Sequence, residues 1–194
     1  MALRHRHLLA AIGLLALALS VAFASAGPTP AEAGKKRACV AWGKASPTNL
    51  ETGQARKAVL CLLNKKRRAH GLPALNRSSR LEEAAQRHSD RMDGTGCFSH
   101  ECPGEPTLES RLEGVNYIIG GLLRWAFGEN IAWGESHQGS PKAIVGAWMN
   151  SSGHRANILN RSYRHVGVGF TRGTPSSAEG NGGIYTTDFG FRAD

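Results

Sequence analysis

The order of the hydrophobic periodicities along this chain limits the folds that it can adopt. Residues 54–70 carry apolar side chains at helical spacing, Ser79-Arg80-Leu81-Glu82 matches a capping box before a second amphipathic stretch, and Ser140-Pro141 marks a later helix start. Two β-type runs close the chain, at residues 164–170 and 183–190. Helices that come first and a hairpin that comes last predict an α+β domain, with helices packed on an antiparallel sheet.

The amino-terminal residues have the composition of an export signal. A basic stretch, Arg4-His5-Arg6-His7, precedes an apolar run over residues 8–23, and Ala24-Ser25-Ala26 offers a small-x-small cleavage site. The run is shorter than the roughly 20 residues of a spanning helix, and a retained anchor is the alternative. We therefore predict a signal peptide over 1–26, a linker or N-terminal extension over 27–50, and a folded domain over 51–194 of a secreted, extracellular protein.

Cysteine usage agrees with export. The chain has four cysteines, Cys39, Cys61, Cys97 and Cys102, and an even number in an oxidising compartment predicts two disulfides. Four cysteines allow three pairings, of which sequence proximity favours Cys97–Cys102 and leaves Cys39–Cys61. Thiolate ligation of a metal is the rival interpretation, but no Cys-x-x-Cys pair occurs.

The charge balance favours anionic partners. Removal of residues 1–26 removes Arg4 and Arg6 and no acid, which leaves 22 basic against 15 acidic residues, a net charge of +7. Such a surface associates loosely with an anionic envelope surface. The cluster Lys65-Lys66-Arg67-Arg68 is interpreted as a solvated helix face. No nucleic-acid motif occurs, so we predict no nucleic-acid partner.

Two histidines and one glutamate lie beside glycine turns and aromatic residues, where a fold can hold polar groups at the mouth of a cleft. They are His100 in Phe98-Ser99-His100, Glu129 in Gly128-Glu129-Asn130-Ile131-Ala132-Trp133, and His154 in Gly153-His154-Arg155-Ala156-Asn157. Imidazole nitrogens bind zinc and similar ions, so His100 and His154 are the predicted metal ligands. Alternatively the trio acts in general base chemistry, with Glu129 the candidate catalytic residue, or forms hydrogen-bonded joints between loops.

Other polar and aromatic residues have simpler interpretations. His88 lies on the apolar stripe of a predicted helix and is interpreted as a core residue with satisfied hydrogen bonds. Trp133, Trp148 and Tyr185 are likewise predicted to be core residues because of their size and apolar neighbours. Arg155 either binds an anionic ligand or pairs with an acid near Glu129.

The motifs around His100, Glu129 and His154, followed by Gly167-Val168-Gly169, resemble those of the CAP superfamily (cysteine-rich secretory, antigen 5 and pathogenesis-related 1 proteins) in its bacterial SCP-domain form. The resemblance covers roughly residues 56–191. It implies an α-β-α sandwich with a small central antiparallel sheet, and a cleft lined by two histidines and two glutamates. The segment Met149-Asn150-Ser151-Ser152 lacks the second acid, which leaves a triad assisted by Asn150 or Ser151.

These features favour a secreted binding module whose cleft holds zinc or another divalent metal and binds a lipid, glycan or protein partner. The alternative is a metal-dependent hydrolase of extracellular or envelope substrates, in which Glu129 or a histidine activates a metal-bound water. A third interpretation makes the domain an envelope scaffold, with the trio purely structural. We expect the protein to be a monomer.

Overall fold

The computed structural model describes residues 38–175 and 180–193, so the predicted signal peptide at 1–26 lies outside the described residues. The helices are α1 (Thr52–Ala69), α2 (Ser79–Thr95), α3 (Leu108–Gly114), α4 (Pro141–Asn150) and α5 (Ser152–Ile158). The strands are β1 (Asn76–Arg77), β2 (Arg124–Glu135), β3 (His165–Arg172) and β4 (Gly182–Ala193). Across the described ranges, no helix is both long and apolar enough to span a bilayer.

The four strands form one sheet in the order β1-β3-β4-β2. Strand β4 pairs antiparallel with β2 along its whole length, from Arg124 opposite Ala193 to Glu135 opposite Gly182. It also pairs antiparallel with β3, which confirms the predicted terminal hairpin. The two-residue strand β1 joins β3 in parallel, and a segment that short has no periodicity by which a sequence could reveal it.

Helices cover both faces of the sheet, which confirms the α-β-α sandwich. Side chains alternate between faces along a strand, so Tyr185 and Phe189 of β4 enter one core while Ile184 enters another. The first face packs on α1, α4 and α5 through Val59, Leu63, Ile144, Trp148 and Ile158. The opposite face carries α2 and α3 through Leu81, Ala84, Met92 and Leu112.

Helix α2 lies unusually close to the sheet because β3 presents glycines to it. A Cβ atom at Gly167 would overlap the backbone of Leu81 and Glu82, and one at Gly169 would overlap the carbonyl of Ala85. The Gly167-Val168-Gly169 motif therefore lets a helix backbone rest directly on a strand backbone. This contact sets the height at which α2 holds its polar side chains above the sheet.

The predicted disulfides, Cys39–Cys61 and Cys97–Cys102, are both present. The first joins α1 to the segment that precedes it, which forms short helical turns at Ala38–Trp42 and Pro47–Asn49. Leu50 is fully buried, and the amide of Lys142 donates to the carbonyl of Gly43 at 2.8 Å. Residues 38–50 of the predicted linker thus pack on the domain.

The predicted capping box at Ser79 and Glu82 is wrong. Ser78 is the N-cap of α2, and its hydroxyl accepts from the amide of Leu81 at 3.4 Å. The Glu82 carboxylate instead accepts from Arg56 at 2.8 Å and from Arg77 at 2.6 Å. Two arginine side chains from neighbouring elements attract this carboxylate more strongly than one backbone amide does.

The interpretation of Lys65-Lys66-Arg67-Arg68 as a solvated face is also wrong at one position. Lys65 and Arg68 are exposed, but Arg67 is completely buried. Its guanidinium donates to backbone carbonyls of the segments around α5 and β3, namely those of Ile158, Asn160 and Tyr163, and to that of Pro73. Arg67 therefore joins α1 to the loop that leads into the sheet.

Candidate functional site

Strand β2 carries Glu129 along one edge of the sheet. The segment Gly128–Trp133 lies within the continuous strand β2. Three side chains donate to its outward carbonyls: Tyr163 to Phe127 at 2.7 Å, Asn157 to Glu129 at 3.0 Å and Trp148 to Ile131 at 3.0 Å. These bonds protect the edge from pairing with another strand and tie α4 and α5 to the strand that holds Glu129.

Glu129 and His100 are in direct contact. The Nδ1 atom of His100 lies 2.7 Å from Oε1 of Glu129. Arg111 of α3 donates to Oε2 of Glu129 at 3.0 Å and to the backbone carbonyl of His100 at 3.0 Å. The Glu129 side chain is 2% exposed and that of His100 is 57% exposed, so a buried carboxylate holds an imidazole that faces solvent.

The loop that carries His100 is held by a second carboxylate. Glu105 accepts from the amide of Cys102 at 3.2 Å, and Nδ1 of His88 lies 2.8 Å from its Oε1 atom. His88 is fully buried, as predicted for a core residue, but its Nε2 atom has no hydrogen-bond partner among the described residues. That atom lies 3.8 Å from Oε1 of Glu129, so His88 connects the two carboxylates.

A third acid, Asp188, lies beside Glu129 in the sheet. It is the register partner of Glu129 on β4, and it is fully buried. Burial, followed by the negative charge of Glu129, raises the pKa of Asp188 well above its usual value. Of the two acids, Asp188 is therefore the one that holds a proton more tightly.

Glu129 itself stays ionised. Burial raises its pKa, but the hydrogen bond from His100 and the positive charge of Arg111 outweigh burial, and the pKa of Glu129 lies below its usual value. Glu129 is therefore the acid of the pair that carries the negative charge. The charge of Arg111 compensates that negative charge within the sandwich.

His154 approaches the same cleft from α5 but does not touch Glu129. Its backbone carbonyl accepts from the Asn130 side chain at 3.1 Å, which places α5 against β2. Burial, followed by the positive charge of His100, lowers the pKa of His154. The hydrogen bond to Glu129, by contrast, raises the pKa of His100. The two histidines are thus close enough to interact electrostatically, and their pKa values shift in opposite directions.

A pH experiment tests the shared proton. Because the pKa of Asp188 is higher in the folded than in the unfolded chain, its contribution to stability is complete below about pH 3.9 and is lost as the pH rises toward the folded value. Asp188→Asn keeps a neutral polar side chain beside Glu129 at every pH. In thermal melts from pH 4 to pH 8, we expect the variant to gain stability relative to the wild type as the pH rises. Parallel profiles would show that Asp188 is ionised in the fold.

Sequence reasoning gave no role to Glu105, Arg111 or Asp188. Asp188 had a signal, since an acid inside an apolar, β-branched run is expensive to bury without a partner. Glu105 and Arg111 lie in polar segments that look like any surface loop. In the described ranges, Asn150 and Ser151, which we expected to assist the trio, make no side-chain hydrogen bond to it, and Arg155 is exposed on α5 without an ion pair.

One aromatic prediction was wrong and two are confirmed. Trp148 and Tyr185 are buried in the core, whereas Trp133 is 40% exposed. Trp133 shares the sheet face of Glu129, because four residues separate them along β2. Phe98, two residues before His100, is 45% exposed. Both the strand and the loop that form the cleft therefore also carry an exposed aromatic ring.

Comparison with known proteins shows which proteins this chain resembles. The sequence profile of the cysteine-rich secretory protein family matches residues 60–189. The chain is 35% identical over 135 residues to the uncharacterized protein YkwD and 38% identical over 116 residues to the uncharacterized membrane protein YlbC, both of Bacillus subtilis (strain 168). Those alignments cover 69% and 60% of this chain but only 46% and 31% of the relatives, so this chain spans less than half of their length.

Solved structures agree with the profile. An extracellular protein containing a SCP domain from Bacillus anthracis str. Ames matches with a TM-score of 0.58 and 30% identity, over 71% of this chain and 40% of that one. An outer surface protein from Borrelia burgdorferi matches with a TM-score of 0.61 and 19% identity, over 74% and 97% of the two chains, and shares the fold. Since the profile covers more than half of its length, the chain belongs to the cysteine-rich secretory protein (CAP) family.

Proposed function

We propose that this protein is an extracellular binding module in which His100 and His154 hold a divalent cation at the open cleft. The observation that carries the proposal is the 2.7 Å contact between Nδ1 of His100 and the buried Glu129 carboxylate. A histidine that ligates a metal through Nε2 commonly donates its Nδ1 proton to a carboxylate, which orients the ring and increases its basicity. Glu129 thus stands behind the ligand, and His100 presents its second nitrogen to the cleft.

The residues fit a weak, open site better than a closed one. Among the described residues, no three His, Cys, Asp or Glu side chains are grouped to hold one ion. Two imidazoles make a partial shell, and a cation bound by them supplies open positions for oxygen atoms of a ligand. The exposed rings of Phe98 and Trp133 offer apolar contact area beside that position. A lipid, glycan or protein that combines oxygen donors with an apolar face fits this cleft.

The environment of Glu129 favours binding over hydrolysis. A general base works best with a pKa near the operating pH, and the contacts from His100 and Arg111 keep the pKa of Glu129 low. Both of its oxygen atoms are already engaged by these two side chains. Metal-dependent hydrolysis remains the alternative proposal, and chelator-sensitive turnover of a peptide, ester or cell-wall substrate that disappears in Glu129→Gln would favour it.

Zinc titration tests the proposed cation site. By isothermal titration calorimetry at pH 7.5, we expect the wild type to bind zinc and both His100→Ala and His154→Ala to lose the binding heat. Glu129→Gln should weaken binding by about 10- to 100-fold, because the carboxylate behind the ligand is lost. The wild type should also bind more weakly at pH 5.5, since the contact with Glu129 raises the pKa of His100 and protons compete with the metal.

His137 provides the matched control. It is an exposed histidine in the turn after β2, so His137→Ala should leave the zinc affinity unchanged. Equal zinc-binding heats in the wild type and in the His100→Ala/His154→Ala double variant would show that these two histidines do not hold a cation.

A further inference from the structure

Three large apolar side chains are exposed at the end of the sheet where β2 begins. Ile119, Leu123 and Trp125, here called the apolar end patch, are 45%, 77% and 45% exposed. Ile119 and Trp125 line an open cavity of about 520 Å³, together with Ile118, Gly120, Gly121 and Leu122. Clustered apolar side chains of this size on a protein surface usually mark an interaction site.

The patch is held in place by its surroundings. The amide of Leu123 donates to the carbonyl of Ala193 at 3.2 Å. The Arg192 guanidinium donates to the carbonyl of Tyr117 at 2.9 Å and lies 5.3 Å from the centre of its ring. The Tyr117 hydroxyl lies 3.0 Å from Nδ1 of His165 on β3. The loop is thus anchored to two strands, so its backbone is already ordered before the patch binds a partner.

The charges beside the patch are mainly positive. Arg124 is exposed between Leu123 and Trp125, and Arg192 is the register partner of Trp125 on β4. Residues 114–128 and 159–175 contain no acid, and Glu113 is the acid that lines the cavity. An apolar surface flanked by arginines is complementary to a layer that is anionic outside and apolar beneath.

We propose that the apolar end patch docks on the surface of an anionic phospholipid bilayer. Transfer of leucine, isoleucine and tryptophan side chains from water into the boundary between headgroups and acyl chains lowers the free energy, while arginine side chains remain at the phosphates. A soluble anionic polymer would use the arginines and leave the apolar side chains in water. A second copy of this chain would gain little, because three side chains bury far less than the roughly 800 Å² per partner of a stable interface.

Docking in this way would bring the histidine cleft close to the lipid headgroups. Trp125 and Glu129 lie on the same face of β2, four residues apart, which corresponds to about 13 Å along a strand. The cleft would then meet ligands at or near the membrane surface. The docking proposal does not depend on a cation at His100 and His154, because neither residue belongs to the patch.

Vesicle binding tests the proposal with protein collected from the medium of a bacterium that exports it. Sedimentation with vesicles of equal parts phosphatidylglycerol and phosphatidylcholine should show binding that Ile119→Ser/Leu123→Ser weakens by about tenfold or more. The matched control is Val40→Ser, which removes an exposed apolar side chain elsewhere and should bind like the wild type. Arg124→Gln should weaken binding to the anionic vesicles several-fold.

Fluorescence locates the contact. Brominated acyl chains should quench tryptophan emission in the wild type and should quench it much less in Trp125→Phe. Vesicle binding that survives Ile119→Ser/Leu123→Ser would reduce the interaction to a general attraction of the basic surface, and the proposal would fail. It would also fail if the wild type ignored vesicles and formed a dimer that Leu123→Ser dissociates, since the patch would then be a self-association surface.

Discussion

Replacing Arg67 with methionine should lower the free energy of unfolding by about 3 kcal/mol or more. The buried guanidinium donates to the carbonyls of Pro73, Ile158, Asn160 and Tyr163, at distances of 2.8 to 3.3 Å. Methionine fills a similar length but donates nothing, and it leaves these carbonyls without their charged donor. Burial, followed by the charge of Arg164, lowers the pKa of Arg67, yet an arginine remains protonated at any working pH.

Urea unfolding with the disulfides intact measures the effect. Arg68→Met is the matched control, because the next residue on α1 is exposed and its replacement should change stability by less than about 0.5 kcal/mol. The free energy of unfolding of Arg67→Lys should lie between those of Arg67→Met and Arg68→Met. The ammonium group of lysine keeps the charge but cannot reach all four carbonyls at once. If Arg67→Met unfolded at the same urea concentration as Arg68→Met, the carbonyls would be satisfied by other donors and Arg67 would not join these segments.

Replacing Arg111 with methionine should cost about 3–5 kcal/mol near pH 8 and clearly less near pH 5. Arg111 is the buried cation beside Glu129, at 3.0 Å, and it lies 3.7 Å from Glu105. Without it, the Glu129 and Glu105 carboxylates repel each other with no counter-charge between them, and the pKa of Glu129 rises. Groups whose pKa is raised by folding stabilise the fold at low pH and lose that contribution as the pH rises, so the deficit should grow from pH 5 to pH 8.

A double variant separates charge from packing at this position. Adding Glu129→Gln to Arg111→Met removes the uncompensated charge and should restore part of the lost stability at pH 8. Arg87→Met is the matched control, because Arg87 pairs with Glu83 on the exposed side of α2, where such pairs contribute little. A loss that is equal at pH 5 and pH 8, with no rescue, would mean that Arg111 acts through packing alone.

Much of the architecture could be predicted from local pattern. The helical spacing over residues 54–70, the proline after Ser140 at the start of α4, and the β-type runs of β3 and β4 each indicate their element within a few residues. The predictions failed where a distant partner decided the outcome. Glu82 follows a capping-box pattern, but in the fold its carboxylate pairs with Arg56 and Arg77. Arg67 lies in a charged run, yet the folded chain buries it.

In the candidate site, too, local sequence indicated some residues, while distant partners decided the roles of others. Histidine and glutamate in glycine-rich motifs indicated His100, Glu129 and His154, because residue type and neighbouring turns are local properties. The sequence left undecided whether His100 contacts Glu129, and in the fold the two side chains are in contact. The roles of Glu105 and Arg111 were invisible, because an acid or an arginine in a polar loop carries no mark of the partner it will meet.

By itself, then, the sequence determined the class of fold, the disulfide-forming cysteines and the residue types at the cleft, since periodicity and composition act over a few neighbouring positions. Only the tertiary structure decided which acid keeps the proton and which arginine is buried. The register of β2 against β4 sets Glu129 beside Asp188, and Arg111 reaches the same place from α3. Ionisation inside a sandwich depends on such long-range neighbours, because a buried charge is stable only where the fold brings its counter-charge.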